Sequence, residues 1–107
     1  MLSDDAIAAA ANRMAVAASS PSRVVLFGSY ARGSADEGSD LDLLVIQKDV
    51  PNRAEEYMRL RQAVGAVGKG VDVLVYSERE AARRATVPGS LLHWALREGR
   101  VLHDALA

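Results

Sequence analysis

The sequence predicts one α/β (α+β) domain over residues 1–107, a small central mixed β-sheet of three to four strands with helices packed on it. Three short apolar runs, Val24 to Phe27, Leu43 to Ile46 and Val71 to Tyr76, have the β-branched content and the length of buried strands. Between and around them lie stretches whose apolar residues recur at spacings of three and four, as on one side of a helix. With 107 residues there is room for one core and none for a second substrate-binding domain.

Taken in order, Ser3 with Asp4 and Asp5 opens a capped amphipathic helix carrying Ile7, Ala8, Ala11, Met14, Ala15 and Ala18. Ser19 to Ser22, with Pro21 inside, breaks it before a strand over residues 23–27, and Gly28 marks a sharp turn. A short helical turn leads to a second strand over residues 40–46. Pro51 can then open a helix that places Tyr57, Leu60, Val64 and Val67 on one side and ends at Gly68-Lys69-Gly70. After the third strand, Ser77 and Glu80 form a capping-box signature for a further helix. Pro88-Gly89-Ser90 interrupts, Leu91 to Glu98 supports a last helix capped by Gly99, and Arg100 to His103 are compatible with an edge strand. Leu91 and Trp94 are expected to dock that last helix on the core.

Composition narrows the function classes. Thirteen basic residues stand against 14 acidic ones, a formal charge of -1, which gives no strong nucleic-acid signal. The absence of cysteine removes disulfides, thiolate metal sites and cysteine nucleophiles together, and suits a cytoplasmic protein. No apolar stretch approaches the roughly 20 residues that span a bilayer. The acidic opening Met-Leu-Ser-Asp-Asp is unlike a secretory signal, so a soluble, intracellular chain without membrane attachment is expected.

Chemistry concentrates between residues 28 and 42, Gly-Ser-Tyr-Ala-Arg-Gly-Ser-Ala-Asp-Glu-Gly-Ser-Asp-Leu-Asp. Side chains of a strand alternate between faces, so Asp40 and Asp42 point the same way and Leu41 and Leu43 the other. Their Cα atoms are roughly 6.5–7 Å apart, close enough for both carboxylates to converge on hard cations, with Mg²⁺ the natural occupant. Asp72, a charge in an otherwise apolar strand, is the third candidate ligand. Three carboxylates would repel a nucleoside triphosphate such as ATP unless divalent ions stood between, and two ions can hold the triphosphate, activate a hydroxyl and stabilise departing pyrophosphate. Asp40 and Asp42 would be the metal ligands, and Asp72 would complete the metal nearer the nucleophile and help to take up its proton. Gly28 permits close backbone approach to phosphate, and the Ser29 hydroxyl can donate to it. Arg32 has two readings, a phosphate contact or an ion pair with Asp36, Glu37 or Asp40. The bland alternative for Asp40 and Asp42 is a pair of solvent-facing acids, and for Asp72 an acid satisfied by backbone amides. Gly28 to Gly33 has the spacing of a phosphate loop, but Ser34 and Ala35 replace its Lys and Ser/Thr, and the dinucleotide fingerprint is missing.

Gly28-Ser29-x-x-Arg32-Gly33 followed by Ser39-Asp40-x-Asp42-Leu43 resembles the signature of the DNA polymerase β nucleotidyltransferase superfamily. The short chain is similar to the minimal nucleotidyltransferases, in particular to the antitoxin of HEPN toxin–antitoxin pairs. The tight match covers about twenty residues; Asp72 and the element order extend it loosely. The resemblance implies a nucleotidyltransferase fold, phosphate at Gly28 and Ser29, metal at Asp40, Asp42 and Asp72, and transfer of AMP from ATP to a tyrosine of a HEPN ribonuclease toxin. Two rivals stand beside it, an antitoxin that neutralises a helical partner by binding alone, and an enzyme acting on a small aminoglycoside-type hydroxyl compound. Self-association or a heteromeric complex is compatible with an open catalytic face. His93 and His103 are expected to be packed or surface residues, Tyr30 a packing or partner-contact residue, and Arg79, Arg83 and Arg84 a solvated helix face.

Overall fold

The computed structural model describes residues 1–106. Its elements run α1 (Asp4–Ala17), β1 (Ser22–Phe27), α2 (Gly28–Arg32), β2 (Leu41–Gln47), α3 (Arg53–Val64), β3 (Val71–Ser77), α4 (Glu78–Ala85), α5 (Leu91–Glu98) and β4 (Arg100–Asp104). The sheet order is β3-β2-β1-β4. β1 lies antiparallel to both β2 and β4, whereas β2 and β3 are parallel, joined through α3. The optional last strand therefore exists, at the sheet edge.

Strand alternation divides the core into two layers. Val24 and Leu26, Leu41, Leu43 and Val45, and Val73 and Val75 face α1 and α3, where they meet Ile7, Met14, Leu60 and Val64. Val25, Phe27, Leu44 and Ile46 face the other way, against Ala81 of α4 and Leu92 and Ala95 of α5. A continuous apolar run such as Leu43 to Ile46 is what a strand covered on both faces requires. Helix starts are set by side-chain caps: Ser3, Asn52, Ser77 and Ser90 each accept a backbone N–H of the first turn.

Several local expectations are corrected. In α1, Ala10 rather than Ala8 joins Ile7, Ala11 and Met14 on the buried side. α3 ends at Val64, with Gly65 (φ 69°) as its cap, before the expected Gly68-Lys69-Gly70. Its inward face carries Glu56, Leu60 and Val64, while Tyr57 is turned to solvent. A carboxylate can take that inward place because Ser19 donates both its amide and its hydroxyl to Glu56, each at 2.9 Å. Burial alone would raise the Glu56 pKa, yet those hydrogen bonds, with the Arg59 guanidinium beside it, hold it below the usual carboxylate value. In α5, Leu92 and Ala95 dock on the sheet, and Leu91 and Trp94 remain 57% and 49% exposed. Gly99 caps α5 without a left-handed backbone; a Cβ there would lie 2.3 Å from the Ala95 carbonyl oxygen and 2.5 Å from Val25 Cγ1. Among the described residues no helix is long and apolar enough to cross a membrane.

Replacing Glu56 by Ala strands the Ser19 donors, and urea denaturation is expected to show a loss of about 2 kcal/mol. Loss of less than a few tenths would mean that Ser19 and Glu56 do not fasten α3 to the turn after α1.

Candidate active site

The expected site residues collect at one end of the sheet, where β1 finishes and β2 and β3 begin. In register, Asp42 stands opposite Phe27 on one side and Asp72 on the other. All three lie on the sheet face turned away from α1 and α3. Asp40 falls one residue before β2, in step with Asp42, and Leu41 and Leu43 are fully buried in the opposite layer.

Glycines make room for two of these carboxylates. Gly28 has φ 74°, in the left-handed region, and a Cβ there would meet Asp42 Oδ2 at 2.1 Å. Only glycine satisfies both constraints. Gly70, just before β3, would bring a Cβ to 2.4 Å from Asp40 Oδ1, so the Asp40 carboxylate lies directly on its backbone. The sequence marks Gly70 as part of a helix terminator; its place two residues before an in-strand aspartate is the signal for this packing role.

Gly28 also begins α2, whose C-terminus closes on Gly33 (φ 76°) with its N–H bonded to the Ser29 carbonyl. Among the described residues the Ser29 hydroxyl has no hydrogen-bond partner. Arg32 pairs with Glu98 of α5 at 3.4 Å rather than with Asp36, Glu37 or Asp40. Both partners are well exposed, so that pair is weak, and the guanidinium still acts electrostatically on Asp42. The loop carrying Asp40 is braced from within, where Asp36 Oδ1 accepts from the Gly38 amide at 2.9 Å and from the Ser39 hydroxyl at 3.1 Å.

Electrostatics single out Asp42. Burial raises its pKa, and the Asp72 charge, a hydrogen bond shared with Asp72 and the Asp40 charge add to the rise; Arg32 opposes it, and the outcome is about 6. Asp42 and Asp72 are thus in contact, while Asp40 reaches them through its field. Among the described residues no three His, Cys, Asp or Glu side chains are gathered tightly enough to enclose an ion by themselves. A Mg²⁺ site does not need such a cage, because that ion is commonly held by one or two carboxylates together with substrate phosphates. An all-oxygen donor set under mutual repulsion, seated over glycines, fits a hard divalent cation.

The remaining candidates fall outside this cluster. His93 Nδ1 lies 3.3 Å from the Ala85 carbonyl oxygen and its ring packs edge-on to Trp94. His103 is half-buried in β4, and Tyr30 accepts the Leu2 amide on its hydroxyl at 3.1 Å. Arg83 and Arg84 share Glu80, and Arg79 is exposed.

A family model described as "Nucleotidyltransferase domain" matches residues 12–100, most of the chain. The chain belongs to that nucleotidyltransferase family. Two proteins of Methanocaldococcus jannaschii, each named a "putative protein adenylyltransferase", are similar over short segments. One is 56% identical over 34 residues, covering 32% of this chain and 34% of its own length. The other is 67% identical over 30 residues, covering 28% of this chain and 20% of its own. The matched segments therefore span about a third and a fifth of those curated relatives. Among solved structures, a crystal structure of a toxin–antitoxin with AMP-PNP superposes with a TM-score of 0.68 at 18% identity, covering 98% of this chain and 76% of that one. At that identity the likeness establishes a shared nucleotidyltransferase fold.

The raised Asp42 pKa makes a pH-dependent stability prediction. Unfolded, Asp42 ionises near 3.8; folded, near 6, so stability tied to its protonated form is present below about 4 and lost as pH rises through about 6. In chelator, Asp42→Asn is expected to melt above the parent at about pH 7.5, by the equivalent of about 1–2 kcal/mol after solvent screening, with the gain vanishing near about pH 4. A gain independent of pH would contradict the assignment.

Proposed function

We propose that this chain transfers a nucleoside monophosphate, AMP from ATP, to a hydroxyl of a partner protein, with Mg²⁺ as cofactor. The observation that carries this reading is the pairing of Asp42 with Asp72 on neighbouring strands, with Gly28 against the other side of Asp42, in a chain of the nucleotidyltransferase family. The relatives named as protein adenylyltransferases and the AMP-PNP complex support the nucleotide and the protein acceptor. We propose further that the acceptor is a HEPN-type toxin and this chain its antitoxin; the toxin–antitoxin neighbour and the resemblance of the Gly-Ser and Asp-x-Asp motifs support that pairing. One minimal domain over the whole chain, acting in the cytoplasm, completes the reading.

In the mechanism, Gly28 gives phosphate a close approach to backbone, and Ser29 donates its hydroxyl to a phosphate oxygen. Arg32, held loosely by Glu98, can exchange that partner for phosphate. Asp40, Asp42 and Asp72 would hold Mg²⁺, which when bound supplies charge neutralisation of the triphosphate and polarisation of the reacting phosphoryl group. The acceptor oxygen attacks the α-phosphorus, forming the new P–O bond as the α–β anhydride breaks and pyrophosphate leaves. The hydroxyl proton passes to the Asp72 carboxylate and on to water.

Incubation with α-labelled ATP, Mg²⁺ and the genomic-neighbour protein is expected to place label on the neighbour. Asp42→Asn and Asp40→Asn should slow that transfer by at least about 100-fold, the scale on which single electrostatic groups act in a transition state. A tight complex that silences the neighbour with no label transferred would favour binding alone. Labelling of an aminoglycoside without any protein partner would favour the small-molecule enzyme.

A further inference from the structure

We propose that the free edge of β3 pairs with β3 of a second copy, antiparallel about a two-fold axis at Leu74, joining two sheets into one. Both sheet edges are open to compare. β4 is short, its register slips between Val24 and Val25, and its terminal Arg100 and Asp104 are tied to Asp4 at 3.8 Å and Arg23 at 3.1 Å. Those are the devices by which proteins blunt an edge. β3 is blunted at one point, where the Arg61 guanidinium bonds to the Val71 carbonyl at 2.6 Å; beyond it the seven residues, Val71–Ser77, keep an unbroken register with β2 and include no proline and a single charge, Asp72.

The backbone phase fixes how a second strand could add. The Leu41 amide bonds to the Gly70 carbonyl at 2.9 Å, so even-numbered residues of β3 direct their polar groups to β2 and odd-numbered ones direct theirs outward. Val71 obeys this, its carbonyl accepting from Arg61 on the outer side. A two-fold axis at Leu74 sets Val73 of one copy opposite Val75 of the other, both outward-facing, and the pair can exchange two hydrogen bonds on each side of the axis. A slip of one residue would set outward groups against inward ones.

Shape and charge select a copy of the same chain as occupant. A groove of about 560 Å³ runs between the Val73 to Tyr76 edge and Ala54, Tyr57 and Met58 of α3. Tyr57 and Met58 are 38% and 55% exposed, apolar surface that a symmetry-related α3 would cover. The N-terminal end of β3 is acidic, with Asp72 beside Asp42. Its C-terminal end is basic: Arg53 and Arg84 lie over the Tyr76 ring at 5.0 and 5.2 Å, and together with Arg83 they share the single carboxylate of Glu80. In the proposed register Asp72 of one copy faces Tyr76 of the other, so acidic end meets basic end twice, as an isologous contact requires. Arg53 and Arg84 of the second copy would then border the carboxylates of the first.

The test uses the absence of native cysteine. Light scattering should give twice the 11.4 kDa chain mass, and oxidised Leu74→Cys should cross-link to a dimer, because residues on the axis form a close non-hydrogen-bonded pair. Val101→Cys, exposed on β4, should not cross-link. Met58→Glu, on the solvent side of α3, should weaken dimerisation by at least about tenfold while circular dichroism is unchanged. A monomeric mass at every concentration, or a dimer that cross-links through Val101→Cys and not Leu74→Cys, would overturn the proposal.

Discussion

Two carboxylates placed side by side in a sheet repel each other, and the parallel register of β2 against β3 imposes that arrangement on Asp42 and Asp72. The surrounding structure holds them there. Leu41, Leu43, Val73 and Val75 lock the same two strands into the α1/α3 layer, so the acids cannot rotate away without exposing a buried apolar face. Gly28 closes the other side of Asp42 at a distance only a glycine allows, and Gly70 does the same for Asp40. Burial first, and this repulsion after it, push the Asp42 pKa up to about 6, and a divalent cation would relieve the repulsion.

The Gly-Ser turn, the Asp-x-Asp pair and the third acid were legible because each depends on local rules: a glycine at a positive φ, a period of two along a strand, a charge in an apolar run. Their convergence rests on the parallel pairing of β2 with β3, a strand adjacency that the order of elements along the chain does not fix. What escaped the sequence was long-range. Nothing near Glu56 announces that Ser19, 37 positions away, will satisfy it, so the sequence pattern favours Tyr57 for the inward place. For Arg32 the sequence offers phosphate or the acids of its own loop, whereas its partner Glu98 comes from α5, 66 positions on. Leu91 and Trp94 are expected to dock α5 on the core, yet Leu92 and the small Ala95 fit the close approach of α5 to β1, and the indole stays outside with Arg97 over it.

The architecture separates duties between the two layers. The α1/α3 layer is mostly apolar, with Glu56 held by Ser19 at its margin, and it sets strand register. The α4/α5 layer covers only part of its face, leaving the strand ends with Asp42 and Asp72 accessible, and it presents Leu91 and Trp94 to solvent.

The most direct measurement is a pH titration of the Asp42 side-chain carboxyl by ¹³C NMR, in chelator and then with Mg²⁺. The account predicts a midpoint near 6 without the metal and a fall toward or below the ordinary aspartate value of about 3.9 when Mg²⁺ is added. An Asp42 that titrates at the ordinary value in chelator and does not respond to Mg²⁺ would contradict it.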